Sequence, residues 1–176
     1  MSDSERIRLA LEFATKKHAG QKRVGGKDYI THPVAVCEMI KEQGYGEDYQ
    51  LAAIFHDLLE DTDATEEEIL SLSSETVLTA VKLLTKEKGY DMQSYVGAIK
   101  NNPIAFVVKG ADRLHNLRCA LVTSEAFKRK YVIETVEWYL DFSSEIKVAV
   151  KNLAESMENP VSELSFLYEP IENWKM

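Results

Sequence analysis

Only two cysteines, Cys37 and Cys119, occur among the 176 residues, and their spacing fits neither a disulfide framework nor a cysteine metal site. Both read as reduced thiols of a cytoplasmic protein. No run approaches the roughly 18 apolar residues of a membrane-spanning helix. The charged, amphipathic start "MSDSERIRLALEF" lacks the apolar centre of a signal peptide. A basic surplus is also missing. The net charge of −8 excludes a broad electrostatic grip on a nucleic acid polymer, though not a few local cations around a small anionic ligand. There is no internal repeat, no low-complexity tract and no sustained two-residue alternation, so an all-β fold is excluded as well. What is present is an ordinary globular composition, 45% hydrophobic and 28% charged, with a helical period throughout. The fold class expected is all-α, in one domain.

Ser4 is placed to cap a first helix that ends near Gly20. "KRVGGKDY" has two glycines and no apolar face, and is expected to be a loop. "THPVAVCEMI" restarts a helix, with Thr31 or His32 near its cap and Pro33 in its first turn. One helix is expected over 48–60, and an acidic helix start in "DTDATEEEI". Further helices are expected over about 74–86, 91–101 and 103–119. Residues 124–157 contain no Gly or Pro and are expected to form one long helix, whose surface could carry a homodimer seam. The tail after it is expected to be irregular or a short packing segment.

The stretch "AAIFHDLLEDT" contradicts its own apolar character, since His56, Asp57, Glu60 and Asp61 fall within six residues. Burying several carboxylates without a cation is costly, because each ion forfeits its hydration. Residues four apart share a helix face, which pairs His56 with Glu60 and Asp57 with Asp61. Two other places show the same oddity. "YITHPVAV" presents His32 at a helix start, and "FVVKGADRLHNL" carries Asp112, Arg113, His115 and Asn116 in an apolar helix. Each has an ordinary explanation alone: a solvated His–Asp pair, a capping histidine, an ion pair between Asp112 and Arg113. Together, polar residues in three separate apolar segments point to one divalent cation held by His32, His56, Asp57 and Asp112. Two imidazoles and two carboxylates suit Mn²⁺, Fe²⁺ or Zn²⁺. His18 and His115 are assigned to structural hydrogen bonds, Lys86 and Lys88 to a solvated helix end, and Tyr90 and Tyr95 to the core.

The order His32, His56–Asp57, Asp112 resembles the HD superfamily of metal-dependent phosphohydrolases. "HAGQKRVGGKDYITHPVAV", "LAAIFHDLLEDT" and "VKGADRLHNL" are similar to three segments of the RelA/SpoT-type (p)ppGpp hydrolase domain. The resemblance covers about 5–140, leaving a C-terminal helical extension of about 141–176 within a single 1–176 domain. No segment resembles the synthetase domain of the long bifunctional enzymes, so a hydrolase-only chain is expected. The resemblance implies that the four ligands hold one Mn²⁺. It also implies that Glu60 and Asp61 position and activate the attacking water, and that Arg23 and Asn116 contact the nucleotide. Tyr139 occupies a place resembling a nucleotide-side tyrosine, and Lys22 could join Arg23 in clamping phosphates.

Two departures bear on the substrate. The family commonly has a lysine where Val24 stands and a proline where Asp28 stands, so one loop cation is absent. The activity implied is 3′-pyrophosphohydrolysis of guanosine 3′,5′-bis(diphosphate). The alternatives are an HD phosphohydrolase for another nucleotide (a nucleoside phosphate or a nicotinamide dinucleotide phosphate) and a nucleotide sensor that does not turn over.

Overall fold

A computed structural model describes residues 3–175, with side chains from residue 5 onward, so the Ser4 side chain expected to cap the first helix falls outside the described side chains. The chain is all-helical, with a single isolated bridge as its only β pairing among the described residues. It forms two compact units divided between Asp112 and Arg113.

The first unit contains α1 (Asp3–Lys17), α2 (Thr31–Glu42), α3 (Glu47–Phe55), α4 (Leu58–Asp61), α5 (Glu66–Leu72), α6 (Glu75–Leu84) and α7 (Met92–Lys100). The opening part of α8 (Pro103–Ala120) also belongs to it. α3 is the centre. Leu51, Ala52, Ala53, Ile54 and Phe55 are all buried, so this helix has no solvent face and must be enclosed. α1, α2 and α6 enclose it, and Phe13 of α1 meets Phe55 edge-on with ring centroids 6.2 Å apart. α5 begins with a capping box between Thr65 and Glu68, and its acidic first turn complements the helix dipole. Ser74 and Asp91 cap α6 and α7.

Two local expectations are sharpened and one is corrected. The cap of α2 is Ile30, with no side-chain bond. Thr31 and His32 lie inside the first turn with Pro33, where a missing N–H costs nothing. The 20s loop is a short hairpin: Tyr29 N–H donates to Gln21 O (2.8 Å), Arg23 N–H donates to Lys27 O (2.8 Å), and Lys22 bridges Asp28. Gly25 and Gly26 turn its tip at φ of 104° and 96°, a region other residues rarely adopt. Finally, the helix expected over 48–60 breaks at His56–Asp57, between α3 and α4. His56 Nδ1–H donates to Ala53 O (2.6 Å), the carbonyl that an unbroken helix would offer to the Asp57 N–H.

The second unit holds the rest of α8, α9 (Glu125–Trp138) and α10 (Ser144–Glu155), followed by 3₁₀ segments Ser162–Tyr168 and Ile171–Asn173. The single helix expected over 124–157 is two. Between them Tyr139 and Phe142 turn inward together, rings 5.3 Å apart, and Ser143 caps α10 through the Ile146 N–H. Burying two aromatic side chains outweighs the helical preference of an uninterrupted segment. The tail packs as expected: Val161 and Leu167 are buried, and Lys151 Nζ donates to the carbonyls of Leu167 (2.9 Å) and Glu169 (2.8 Å). No helix is long and apolar enough to cross a membrane among the described residues.

Phe55→Ala empties the centre of the first unit and should lower its stability by about 3–5 kcal/mol. Urea unfolding of the purified protein measures this, and a loss below about 1 kcal/mol would show that α3 is not the core.

Candidate metal centre

Three elements bring four side chains together. α2 supplies His32 from its first turn, fixed there because Thr31 Oγ1 donates to Asp28 O (2.7 Å) at the foot of the hairpin. The break after α3 supplies His56 and Asp57, and α8 supplies Asp112. His32 Nε2 lies 2.8 Å from Asp112 Oδ1 and 3.8 Å from Asp57 Oδ2. His56 Nε2 lies 3.0 Å from Asp57 Oδ2 and 3.6 Å from Asp112 Oδ1. Both imidazoles are buried, as is Asp112, and Asp57 is nearly so. His32, His56 and Asp57 alone form a group whose ligand atoms all lie within 4.8 Å of one another.

The chemistry of these donors fits a divalent cation. His56 donates its Nδ1–H to Ala53 O, which leaves Nε2 to face the carboxylates and to hold a proton or a metal there. That nitrogen is buried and makes no hydrogen bond. A buried ring nitrogen between two carboxylates, with no donor to satisfy it, is the arrangement expected of a metal ligand.

With no cation bound, the electrostatics put a proton on His56 Nε2, at the position a metal would take. Burial depresses the His32 imidazole despite Asp112 beside it. Burial opposes charging of His56 as well, but Asp57 and Asp112 raise its pKa well above the ordinary value. Burial opposes ionisation of Asp57, which His56 nonetheless lowers to about 2. Asp112 is likewise held well below the usual carboxylate range, against burial, by Lys109 and the two imidazoles. Both carboxylates therefore stay ionised and recruit positive charge.

Two residues that the sequence did not single out hold the ligands in place. Tyr29 OH donates to Asp57 Oδ2 (2.7 Å), and burial followed by the Asp57 charge keeps that phenol protonated. Lys109 Nζ donates to Asp112 Oδ2 (3.1 Å), which leaves Oδ1 turned toward the imidazoles. Neither was legible, because a tyrosine after a Gly-rich loop and a lysine on a helix are ordinary in sequence. His18 makes a structural bond of the kind assigned to it: Nδ1–H donates to Gln21 Oε1 (2.8 Å), and Gln21 Nε2 donates to the Asp61 carbonyl (2.8 Å).

Asp61 follows Asp57 by one turn, its N–H donating to the Asp57 carbonyl (3.0 Å). Burial, then Asp57 and Glu60, raise its carboxyl to about 6. Glu60 Oε1 accepts the backbone N–H of Lys86 (2.6 Å). Arg23 lies over the Tyr29 ring, 5.9 Å from its centroid, while the ammonium of Lys22 is paired with Asp28. Asn116 and Tyr139 belong to the second unit. Tyr139 is fully buried there, with the Arg113 guanidinium 4.4 Å from its ring centroid, so in this conformation it is a core residue.

Residues 10–101 match the HD domain family, and the chain belongs to it. It is similar to the guanosine-3′,5′-bis(diphosphate) 3′-pyrophosphohydrolase of Aquifex aeolicus, 35% identical over 161 residues, covering 86% of this chain and 23% of that protein. A GTP pyrophosphokinase rsh of Brucella ovis is 30% identical over 180 residues, covering 96% of this chain and 23% of that protein. The chain thus spans about a quarter of the length of these curated relatives. Among solved structures, a metazoan orthologue of SpoT that hydrolyses ppGpp and plays a role in starvation responses matches with a TM-score of 0.70. The match covers 85% of this chain and 94% of that one, and at 21% identity it establishes the fold.

Asp57→Ala or His56→Ala should abolish tight Mn²⁺ binding, read by the electron paramagnetic resonance of free manganese. Tyr29→Phe should weaken it by about 10–100-fold, the usual effect of losing a group that orients a ligand. Unchanged affinity in Asp57→Ala would exclude this cluster as the metal centre.

Proposed function

We propose that the chain hydrolyses guanosine 3′,5′-bis(diphosphate), releasing pyrophosphate from the ribose 3′ oxygen, with one Mn²⁺ held by His32, His56, Asp57 and Asp112. The observation that carries this is the unpartnered Nε2 of buried His56 between two ionised carboxylates. The likeness to a protein named as that hydrolase, across 86% of this chain, supports the choice of substrate. When bound, the cation neutralises charge on the phosphoryl oxygens and makes water a competent nucleophile near neutral pH.

The chain's own residues divide the remaining work. Water attacks the phosphorus attached to the 3′ oxygen, the bond between them breaks, and the departing ribose oxygen takes up a proton. Asp61 is the group suited to move a proton. Its carboxyl, raised to about 6, lies near the operating pH, where general acid–base transfer is most effective. Tyr29 and Lys109 each occupy one carboxylate oxygen of Asp57 and Asp112, so the ligands cannot swing as charge develops. Arg23, stacked on Tyr29, offers a planar donor to a phosphate, and Lys22 can add a second cation once it leaves Asp28. Asn116, four residues after Asp112 on α8, is assigned to the sugar or phosphate.

A second reading, hydrolysis of a different and less anionic nucleotide, is favoured by the hairpin. Val24 is 69% exposed where a cation would serve a polyphosphate, and Lys22 is neutralised by Asp28. Purified protein with Mn²⁺ and a nucleotide panel separates these. Pyrophosphate released from a 3′-pyrophosphorylated nucleotide is the expected product, and orthophosphate from a different nucleotide would favour the second reading. Binding without turnover would leave a sensor. Asp61→Asn should retain Mn²⁺ while slowing turnover by about 10²–10⁴-fold.

A further inference from the structure

α4 is a single turn of four residues, Leu58–Asp61, between the break at His56–Asp57 and the segment that leads to α5. One turn does not sustain itself, because nucleating a helix fixes more backbone than its first hydrogen bonds repay. Asp61 N–H donates to Asp57 O and Thr62 N–H to Leu58 O, both at 3.0 Å. The base of the hairpin adds restraint from outside. Gln21 Nε2 donates to Asp61 O (2.8 Å), Tyr29 OH donates to Asp57 Oδ2 (2.7 Å), and Tyr29 N–H donates to Gln21 O (2.8 Å). Four hydrogen bonds close a ring through Gln21, Asp61, Asp57 and Tyr29, gripping the turn at both ends.

His18 backs both arms of this grip. The Asp61 carbonyl can only accept, so the Gln21 amide nitrogen faces it and Oε1 faces His18, whose Nδ1–H donates there (2.8 Å). The His18 ring also lies against that of Tyr29, with centroids 4.9 Å apart. His18 is 2% exposed and its Nε2 makes no hydrogen bond, a cost that core packing alone does not require. The preceding residue, Lys17, reaches Asp63 (2.9 Å) and Glu68 (3.4 Å) just beyond the turn.

We propose that Gln21 is a positioning residue for Asp61, with His18 holding its amide in the donating orientation, so that the hairpin base sets where Asp61 stands relative to Asp57. Gln21 bonds the Asp61 backbone and Tyr29 the Asp57 carboxylate, so loss of Gln21 separates proton transfer from metal binding. That kinetic consequence rests on the proposed hydrolysis; the restraint of the turn does not.

The test uses Gln21→Met, which keeps side-chain length and discards both polar atoms, and Gln21→Glu, which keeps the acceptor for His18 and discards the donor to Asp61. Exchange of the Asp61 and Thr62 amides should speed by about tenfold in each, the equivalent of one lost hydrogen bond. With Mn²⁺ and a 3′-pyrophosphorylated nucleotide, kcat should fall about tenfold while Mn²⁺ affinity stays within about threefold. His18→Phe keeps the ring against Tyr29 and should speed the same two amides. In an Asp61→Asn background, Gln21→Met should cost less than about threefold in kcat, because nothing remains for it to position. Protection of the Ile54 amide in α3 verifies the fold of every variant, and Gln21→Glu carries the comparison if Gln21→Met loses it.

Unchanged exchange at Asp61, retained kcat, Mn²⁺ affinity falling together with kcat, or the full loss persisting beside Asp61→Asn would each overturn the inference. If the parent releases no pyrophosphate, the hydrolase assignment fails, and the exchange comparison still decides whether the hairpin base holds the turn.

Discussion

Two ionised carboxylates, Asp57 and Asp112, stand against two buried imidazoles in a nearly dry setting, and the first unit is organised around keeping them so. Negative charge taken out of water must be matched by positive charge or by donors. The chain supplies some of each: Lys109 on one Asp112 oxygen and Tyr29 on one Asp57 oxygen. The remaining need falls on His56 Nε2, which faces both carboxylates and meets it with a proton or gives its place to a metal. The cluster is incomplete in just the way that a divalent cation completes.

The same requirement explains the broken backbone at the centre. An unbroken helix over 48–60 would carry His56 and Asp57 outward along a regular face, with Ala53 O bonded to the Asp57 N–H. The His56 ring takes that carbonyl instead, which fixes its tautomer and stops the helix in one stroke. α3 can bear this interruption because it is enclosed on every side by α1, α2 and α6. The cost of a lost helical bond is met by rigid packing, and a rigid ligand set is the return.

Much of this could be read from residue order. Charged residues in apolar runs revealed His56, Asp57 and Asp112, and the acidic stretch "DTDATEEEI" foretold the start of α5. What escaped was decided by tertiary context. The hairpin carries no alternation and is held by backbone bonds around two glycines, so its composition resembled any loop. The break at 139–143 arises from burying Tyr139 and Phe142, which local helical preference does not register. Tyr29 and Lys109 became functional candidates only when their partners were seen across the fold. The four residues of the candidate centre were detectable because together they were out of place in their segments. The residues that orient them were hidden because each was unremarkable in its own.

This division also separates chemistry from choice of substrate. The inner side of the hairpin is constrained, since Tyr29 must reach Asp57 and Asp28 O must receive the Thr31 hydroxyl that starts α2. Its outer side carries no such duty. Val24 projects into solvent, and the Lys22–Asp28 pair lies exposed between side chains that touch no metal ligand. Charge at these positions can therefore change by one or two units without disturbing the candidate centre, because surface pairs contribute little to stability. A constrained inner side and an unconstrained outer side let the exposed rim of the hairpin vary while the candidate centre stays fixed.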